Sequence, residues 1–444
     1  MLKTDNRMID DMNEALKSLL RPFVRPIKKL IGSAVLYYKI LVCRWRYRKR
    51  VEECVSKFQQ GKALRVVFLI SEAAKWKLQS LYDLMAASSR YDPLIAISCH
   101  GAWWHHPEYK KQFDDSVAYF SSKKMRYVEV ASFETKKSLS IEQFGPDIVF
   151  YDQPYSWVSE YMPYQVSRYA LTCYLPYFVP THMEHKKHYT LPLIRTVWRY
   201  FQMNKDMADR LTKLAHPCFL SGKIVAVGHT FLDYYYLNKF SQAKRQYVIY
   251  APHWSFDHPN NVNTSNISTF LHNGREILSF AKSHPELSWV FKPHPGLEWR
   301  LVNAGVWTQK EVDDYYAEWS QIAVSCRDSD YLKLFLSSKA LITDCGSFLV
   351  EYPPCGGAMI HLISSTQKNP LHPLNKELYD SFYKVHNLKE MYEIFDLVLL
   401  RGEDPKRRER LLAVDKYGAG NTYAARNILH CFEVEFSSKE EQRT

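Results

Sequence analysis

Residues 288–296, SWVFKPHPG, decide how this chain is read. Trp289, Val290 and Phe291 form a short apolar run of strand length. Lys292, Pro293, His294, Pro295 and Gly296 follow at once. Two prolines bracket one histidine, so neither helix nor sheet continues through the turn. A buried strand that ends in a stiff polar loop is the usual unit of a parallel α/β sheet, where ligands gather outside the carboxyl ends of the strands.

The same unit recurs on both sides. Tyr247–Ala251 (YVIYA) runs into Pro252-His253-Trp254-Ser255, and Ala340–Thr343 runs into Asp344-Cys345-Gly346-Ser347. Ala358–Leu362 is a further strand, with helices expected over Thr269–Ser283 and Tyr331–Ser338. Upstream, apolar runs at Leu64–Ile70, Leu94–Ser98, Tyr127–Val130, Asp147–Tyr151, Leu171–Leu175 and Ile224–Val227 give an earlier series, with a helix over Trp76–Met85. Continuous Val/Ile/Leu runs separated by helical stretches predict parallel sheets covered on both faces. The expected organisation is a basic amphipathic helical segment (1–60), a first Rossmann-like unit (62–236), a polar linker (238–246), a second Rossmann-like unit (247–410) and a closing helix and tail (411–444).

The chain has 444 residues, 46% of them apolar, with a net charge of +12. That supports a sizeable core and an anionic partner. Nine cysteines show no CxxC pair, which reads as reduced thiols rather than a disulfide frame or a zinc site. Residues 21–50 hold ten Lys or Arg and no acid. Within them Ile27, Ile31, Ala34, Tyr38, Leu41 and Trp45 fall on one helical stripe. The apolar run Leu30–Cys43 is too short to span a bilayer. This predicts a helix lying on an anionic membrane surface and a protein peripheral on the inner face of the cell membrane, facing the cytoplasm. The competing readings are a helix packed on the body of the protein and, less favoured, a nucleic-acid arm.

Three loops of the second unit should share one edge and converge on one ligand. Ser347 is placed to cap the helix that follows, and the free amides there suit a phosphate, with Gly346 allowing close approach. Glu351, one turn on, suits a ribose hydroxyl. His294, His253 and Lys292 are the groups that could steady a transferring phosphoryl group. No GxxxxGK[ST], GxGxxG after the first strand, or HExxH occurs. The cluster THMEHKKH, with His182, His185 and His188, reads as a surface loop rather than a metal site.

Taken together, APHWS, FKPHPG and LITDCGSFLVEYPPCGGAMIHL resemble the CDP-glycerol glycerophosphotransferase family of teichoic-acid and capsule synthesis. PDIVFYDQPY, VGHTFLD and the tail segment GAGNTYAARNIL are similar to its other elements. The resemblance implies a GT-B architecture: two facing Rossmann-like, doubly wound domains, preceded here by the basic amphipathic helix. It implies transfer of glycerol phosphate or ribitol phosphate from a CDP-linked donor to a hydroxyl of a lipid-linked or polysaccharide acceptor, with release of CMP. No cofactor or metal is expected. It implies that His294, Asp344, Gly346 and Ser347 surround the donor diphosphate. The family's Trp-His-Gly-Thr is replaced here by YLPYFVPTH, so the first-domain base has no direct counterpart; His182 and His100 are the nearest candidates. Where the family has Thr-Trp-Arg, this chain has His253-Trp254-Ser255. A nucleotide-sugar glycosyltransferase and a non-catalytic nucleotide-binding scaffold are the alternatives.

Overall fold

The structure, a computed structural model, describes residues 2–99, 107–155, 157–179, 181, 191–214, 223–237, 245–261, 265–325, 331–368, 370–417 and 423–437. Two parallel sheets carry it. The first is built from β1 (Leu64–Ile70), β2 (Tyr91–Ile97), β3 (Tyr127–Glu129), β4 (Ile148–Tyr151), β5 (Leu171–Tyr174), β6 (Arg199–Gln202) and β7 (Ile224–Ala226), in the order β3-β2-β1-β4-β5-β6-β7. The second is built from β8 (Tyr247–Ala251), β9 (Ser288–Phe291), β10 (Ala323–Ser325), β11 (Ser338–Thr343), β12 (Ala358–Leu362) and β13 (Tyr383–Val385), in the order β10-β9-β8-β11-β12-β13.

Both sheets reverse their winding at one place, between β1 and β4 and between β8 and β11. That leaves a crevice outside the carboxyl ends of those strands. The continuous apolar runs are explained by burial on both faces. In β1, Leu64, Val66, Phe68 and Ile70 enter one core while Val67 and Leu69 enter another. In β8, Val248 and Tyr250 point one way and Ile249 and Ala251 the other. Strands β6, β10 and β13 have no counterpart in the sequence reading. They are only three or four residues long and carry charged or polar residues, so no apolar run marks them.

The helix expected from Trp76 starts only at Gln79, after a 3-10 turn over Ala73–Lys75. The Lys77 carbonyl accepts the Thr230 hydroxyl instead of opening a helix.

Helix α1 (Leu2–Gln59) is continuous for 58 residues. Ile40, Cys43, Tyr47, Cys54 and Phe58 are buried, all but Ile40 in a core shared with β1 and the last helix. The Tyr47 hydroxyl contacts Thr172 Oγ1 at 2.5 Å and donates to the Thr196 carbonyl at 2.8 Å. The stripe singled out from the sequence lies elsewhere on the helix. Ile31, Tyr38, Leu41 and Trp45 are exposed, Trp45 by 70%. The body of the protein therefore does not cover these four residues. Among the described residues no helix is long and apolar enough to cross a membrane.

Helix α2 (Thr230–Leu237) precedes the linker, most of which lies outside the described residues. α3 (Phe270–Ser283), α4 (Leu297–Asn303) and the single turn α5 (Phe348–Glu351) belong to the second unit. The last helix, α6 (Ala424–Phe436), returns to the first sheet, where Ala425, Ile428, Phe432 and Phe436 join its core. Asp233 holds its start, accepting from Ala424 N at 2.7 Å, Ala425 N at 2.9 Å and Ser80 Oγ at 2.9 Å.

Candidate functional site

The loops after β8, β9 and β11 meet at the second crevice. The His294 amide donates to the Pro252 carbonyl at 2.9 Å, which ties the β9 loop to the β8 loop. The two imidazoles then lie edge to face, with ring centres 5.0 Å apart, and Trp254 packs beside them. Each ring is oriented by an amide two residues on. Gly296 N–H donates to His294 Nδ1 at 3.0 Å, and Ser255 N–H donates to His253 Nδ1 at 3.1 Å. An Nδ1 that accepts carries no proton, so in the neutral rings the proton sits on Nε2. Burial lowers His294 to a pKa of about 4; Glu72 opposes this from the first unit and Lys292 adds to it. At neutral pH His294 is therefore a neutral Nε2–H donor rather than a cation.

Asp344 lies beneath these loops. Its Oδ1 accepts the His253 amide at 2.6 Å. Its Oδ2 accepts the Thr269 amide at 2.6 Å and the Ser268 and Thr269 hydroxyls at 3.1 Å each. Burial pushes its pKa up to about 6, against the bonds from Thr269, His253 and Ser268. With four donors and 1% exposure, Asp344 is spent on holding the loops. It positions His253 and, as an acceptor turned to the loop donors, offers no donor to the diphosphate near which the sequence reading placed it.

Ser347 differs from expectation too. It is itself helical (φ −61°, ψ −36°) and makes no side-chain cap bond. The turn starts one step earlier, with Phe348 N donating to Cys345 O at 3.2 Å. The Thr343 hydroxyl accepts from Cys345 N at 2.9 Å, ahead of the turn, so the helix itself has no side-chain cap. Ser347 Oγ is left beside Cys345 Sγ at 3.5 Å, half-buried behind the buried Gly346. Since α5 is a single turn, its dipole adds little; a phosphate there would rely on local amides.

Glu351 is not open to a ribose. Its carboxylate accepts the Tyr331 hydroxyl and pairs with Lys77 of the first unit at 3.2 Å. Both charged side chains are buried, at 8% and 2% exposure. Lys77 also donates to the Tyr331 hydroxyl. Lys77 Nζ and Lys292 Nζ lie 4.5 and 4.9 Å from the centre of the Tyr331 ring. The two units are thus joined through residues at the edge of the crevice.

Lys77 belongs to the first crevice, which the sequence reading leaves without chemistry. Ser71 and Glu72 follow β1, and Asp152 and Gln153 follow β4, the two strands at the reversal. Asp152 Oδ2 accepts the Ser71 amide at 2.8 Å and its hydroxyl at 2.9 Å. Asp152 Oδ1 is buried and has no partner among the described residues. Burial pushes this carboxyl up to about 6, with Lys75 and Ser71 opposing and Glu72 adding to the rise. Lys75 pairs with Glu72 and donates to Gln153 Oε1 at 2.8 Å. Glu72 acts electrostatically on both His294 and Asp152. The signal in the sequence is the pair Asp152-Gln153 closing an apolar strand. His182 and His100 lie outside the described residues.

Two parallel sheets of this order, facing each other across charged strand ends, fix the architecture. The chain has the GT-B architecture. No family model matches the sequence, and no curated protein matches it. Solved structures match in fold. A UDP-GlcNAc 2-epimerase from Neisseria meningitidis, bound to UDP-GlcNAc, aligns over 83% of this chain and 99% of its own, with TM-score 0.51 and 15% identity. Another UDP-N-acetylglucosamine 2-epimerase aligns over 84% and 96%, with TM-score 0.50 and 11% identity. A variant of the wall teichoic acid polymerase TagF aligns over 93% and 99%, with TM-score 0.47 and 11% identity. At these identities the GT-B matches establish the fold alone.

Proposed function

We propose that this chain transfers glycerol phosphate or ribitol phosphate from a CDP-linked donor to an acceptor hydroxyl and releases CMP. One observation carries the reading: His253 and His294, locked edge to face with both protons on Nε2, stand beside the winding reversal of the second sheet, with His294 within electrostatic reach of Glu72 of the first. Two neutral N–H donors in fixed positions suit the oxygens of a diphosphate, and their preorganisation stabilises charge that builds as the P–O bond breaks.

In this reaction the acceptor oxygen attacks the distal phosphorus in line. Its proton passes to a carboxylate of the first crevice, for which Glu72 is better placed than the more deeply buried Asp152. The bond from phosphorus to the CMP oxygen breaks. His294 Nε2–H donates to the departing phosphate, and Lys292 balances its charge. Asp344 keeps His253 in register. The acceptor is a lipid-linked or polysaccharide hydroxyl, and the protein works at the inner membrane surface in cell-surface polymer synthesis.

The test is turnover with CDP-glycerol, CDP-ribitol and a panel of UDP- and GDP-sugars. Release of CMP with a polyol phosphate on the acceptor is expected. Turnover of nucleotide sugars alone would assign the chain to sugar transfer. Thermal stabilisation by CDP compounds without consumption would make it a binding scaffold.

A further inference from the structure

A second concave site lies away from the crevices. It is a groove of about 880 Å³ between α1 and the amino edge of the first sheet. Residues 195–199 lead into β6, and Lys223 directly precedes β7, so the groove opens at the end of these strands opposite the crevice. Five cations line it: Arg44, Arg48, Arg195, Arg199 and Lys223. Only Glu52 and Glu435 oppose them, and Glu435 is paired with Arg199. Arg44, Arg48 and Arg195 make no ion pair among the described residues, and Arg195 Nε is buried without a partner.

Gathering unpaired cations in one concavity is electrostatically unfavourable unless an anion completes it. The rim says which kind. Leu41 and Trp45 line the groove and are exposed by 41% and 70%. The exposed apolar surface continues along the same helix through Tyr38, Val35, Ile31 and Leu30. A nucleic acid would use the cations but not a row of Leu, Ile and Val. A second copy of this chain would set cations against cations. A bilayer of anionic phospholipid satisfies both features, taking the apolar residues at the acyl boundary and a phosphate among the arginines.

We infer that this groove is a binding site for the anionic headgroup of a membrane phospholipid, and that Leu30–Trp45 is the face of α1 that enters the interface. The headgroup anchors the protein and is not the acceptor, because the groove and the crevice lie at opposite ends of the strands. The inference holds independently of which reaction the crevice performs.

The test is co-flotation of the full chain with phosphatidylcholine vesicles, with and without one quarter phosphatidylglycerol. Binding only to the anionic vesicles, reversed by high salt, is expected. Each cation near the surface is worth roughly a fivefold change in partition, so Arg44→Ala with Arg48→Ala should weaken binding about 30-fold. Arg48 is exposed and Arg44 half-buried, neither in an ion pair among the described residues, and the unfolding temperature should not move. Equal binding to neutral vesicles, or wild-type binding by the double variant, would overturn the inference. So would tighter capture by heparin or RNA than by vesicles, or dimerisation of the wild type that the double variant abolishes. Turnover on a soluble acceptor should be the same in wild type and variant. A chain that binds vesicles but turns over no donor would defeat only the transferase reading.

Discussion

Replacing Asp344 by Asn should lower activity and remove a pH dependence of stability. The carboxyl is buried and rises from 3.8 to about 6 in the folded protein. Between those values the folded state keeps a proton that the unfolded state has lost, so wild-type stability falls as pH rises through this window. About two pH units at roughly 1.4 kcal/mol each come to about 3 kcal/mol, of which about half falls between pH 5 and 7.5. The neutral amide has no such dependence. The stability difference between the two proteins should therefore move in favour of Asp344→Asn by about 1.4 kcal/mol from pH 5 to pH 7.5. Activity should go the other way. An amide offers one acceptor oxygen, so either the His253 amide or the Thr269 amide loses its partner, at about 1–3 kcal/mol for a buried unsatisfied group. If the oxygen stays with Thr269 and Ser268, the His253 loop is released and turnover falls with the fold intact. The assay is urea unfolding at the two pH values, with donor turnover at pH 7.5. An offset that stays constant with pH would show that Asp344 is not a strained buried charge. Unchanged turnover would remove it as the support of His253.

Three other outcomes are expected. His294→Ala should lower turnover about 10²–10³-fold with an unchanged unfolding temperature; because His294 is already neutral above about pH 4, the wild-type rate profile should show no inflection near 6.5 that disappears in the variant. Lys77→Met leaves Glu351 buried without its cation and should cost about 3–5 kcal/mol in urea unfolding, whereas Lys77→Met with Glu351→Gln should recover at least half of the loss. Asp233→Ala removes both acceptors from the start of α6 and should cost about 1–3 kcal/mol, read as faster amide exchange over Ala424–Phe436 while β8 and β11 stay protected.

Much of this protein follows from short-range chemistry, and the sequence alone determines that part. YVIYA is apolar throughout, and LRVVFLI and AMIHL are apolar but for Arg65 and His361; strands with so little polar surface must be covered on both sides. The PHP turn after β9 is stiff because two prolines restrict their own and the preceding residue. His253 and His294 are therefore legible as candidate site residues from local pattern alone. The cap expected of Ser347 is absent, because the chain is already helical at that residue and its hydroxyl lies beside Cys345. Only the backbone angles show that Ser347 is already helical, with the Thr343 hydroxyl holding the Cys345 amide ahead of the turn.

The tertiary structure decided what depends on distant segments meeting. Glu72 and Asp152 are 80 residues apart in the chain and gain chemical meaning because β1 and β4 pair at the winding reversal. Lys77 and Glu351 are 274 residues apart, and nothing local marks either as the other's counter-ion. Helix α1 is visible in the sequence as basic and amphipathic, yet it offers apolar residues on more than one face. Which of them turns inward is settled by the first sheet, which accepts Cys43, Tyr47, Cys54 and Phe58 and leaves Ile31, Tyr38 and Trp45 outside. Local pattern states what a residue can do; the partner that makes it do so is chosen by strand order and by the side on which each crossover returns.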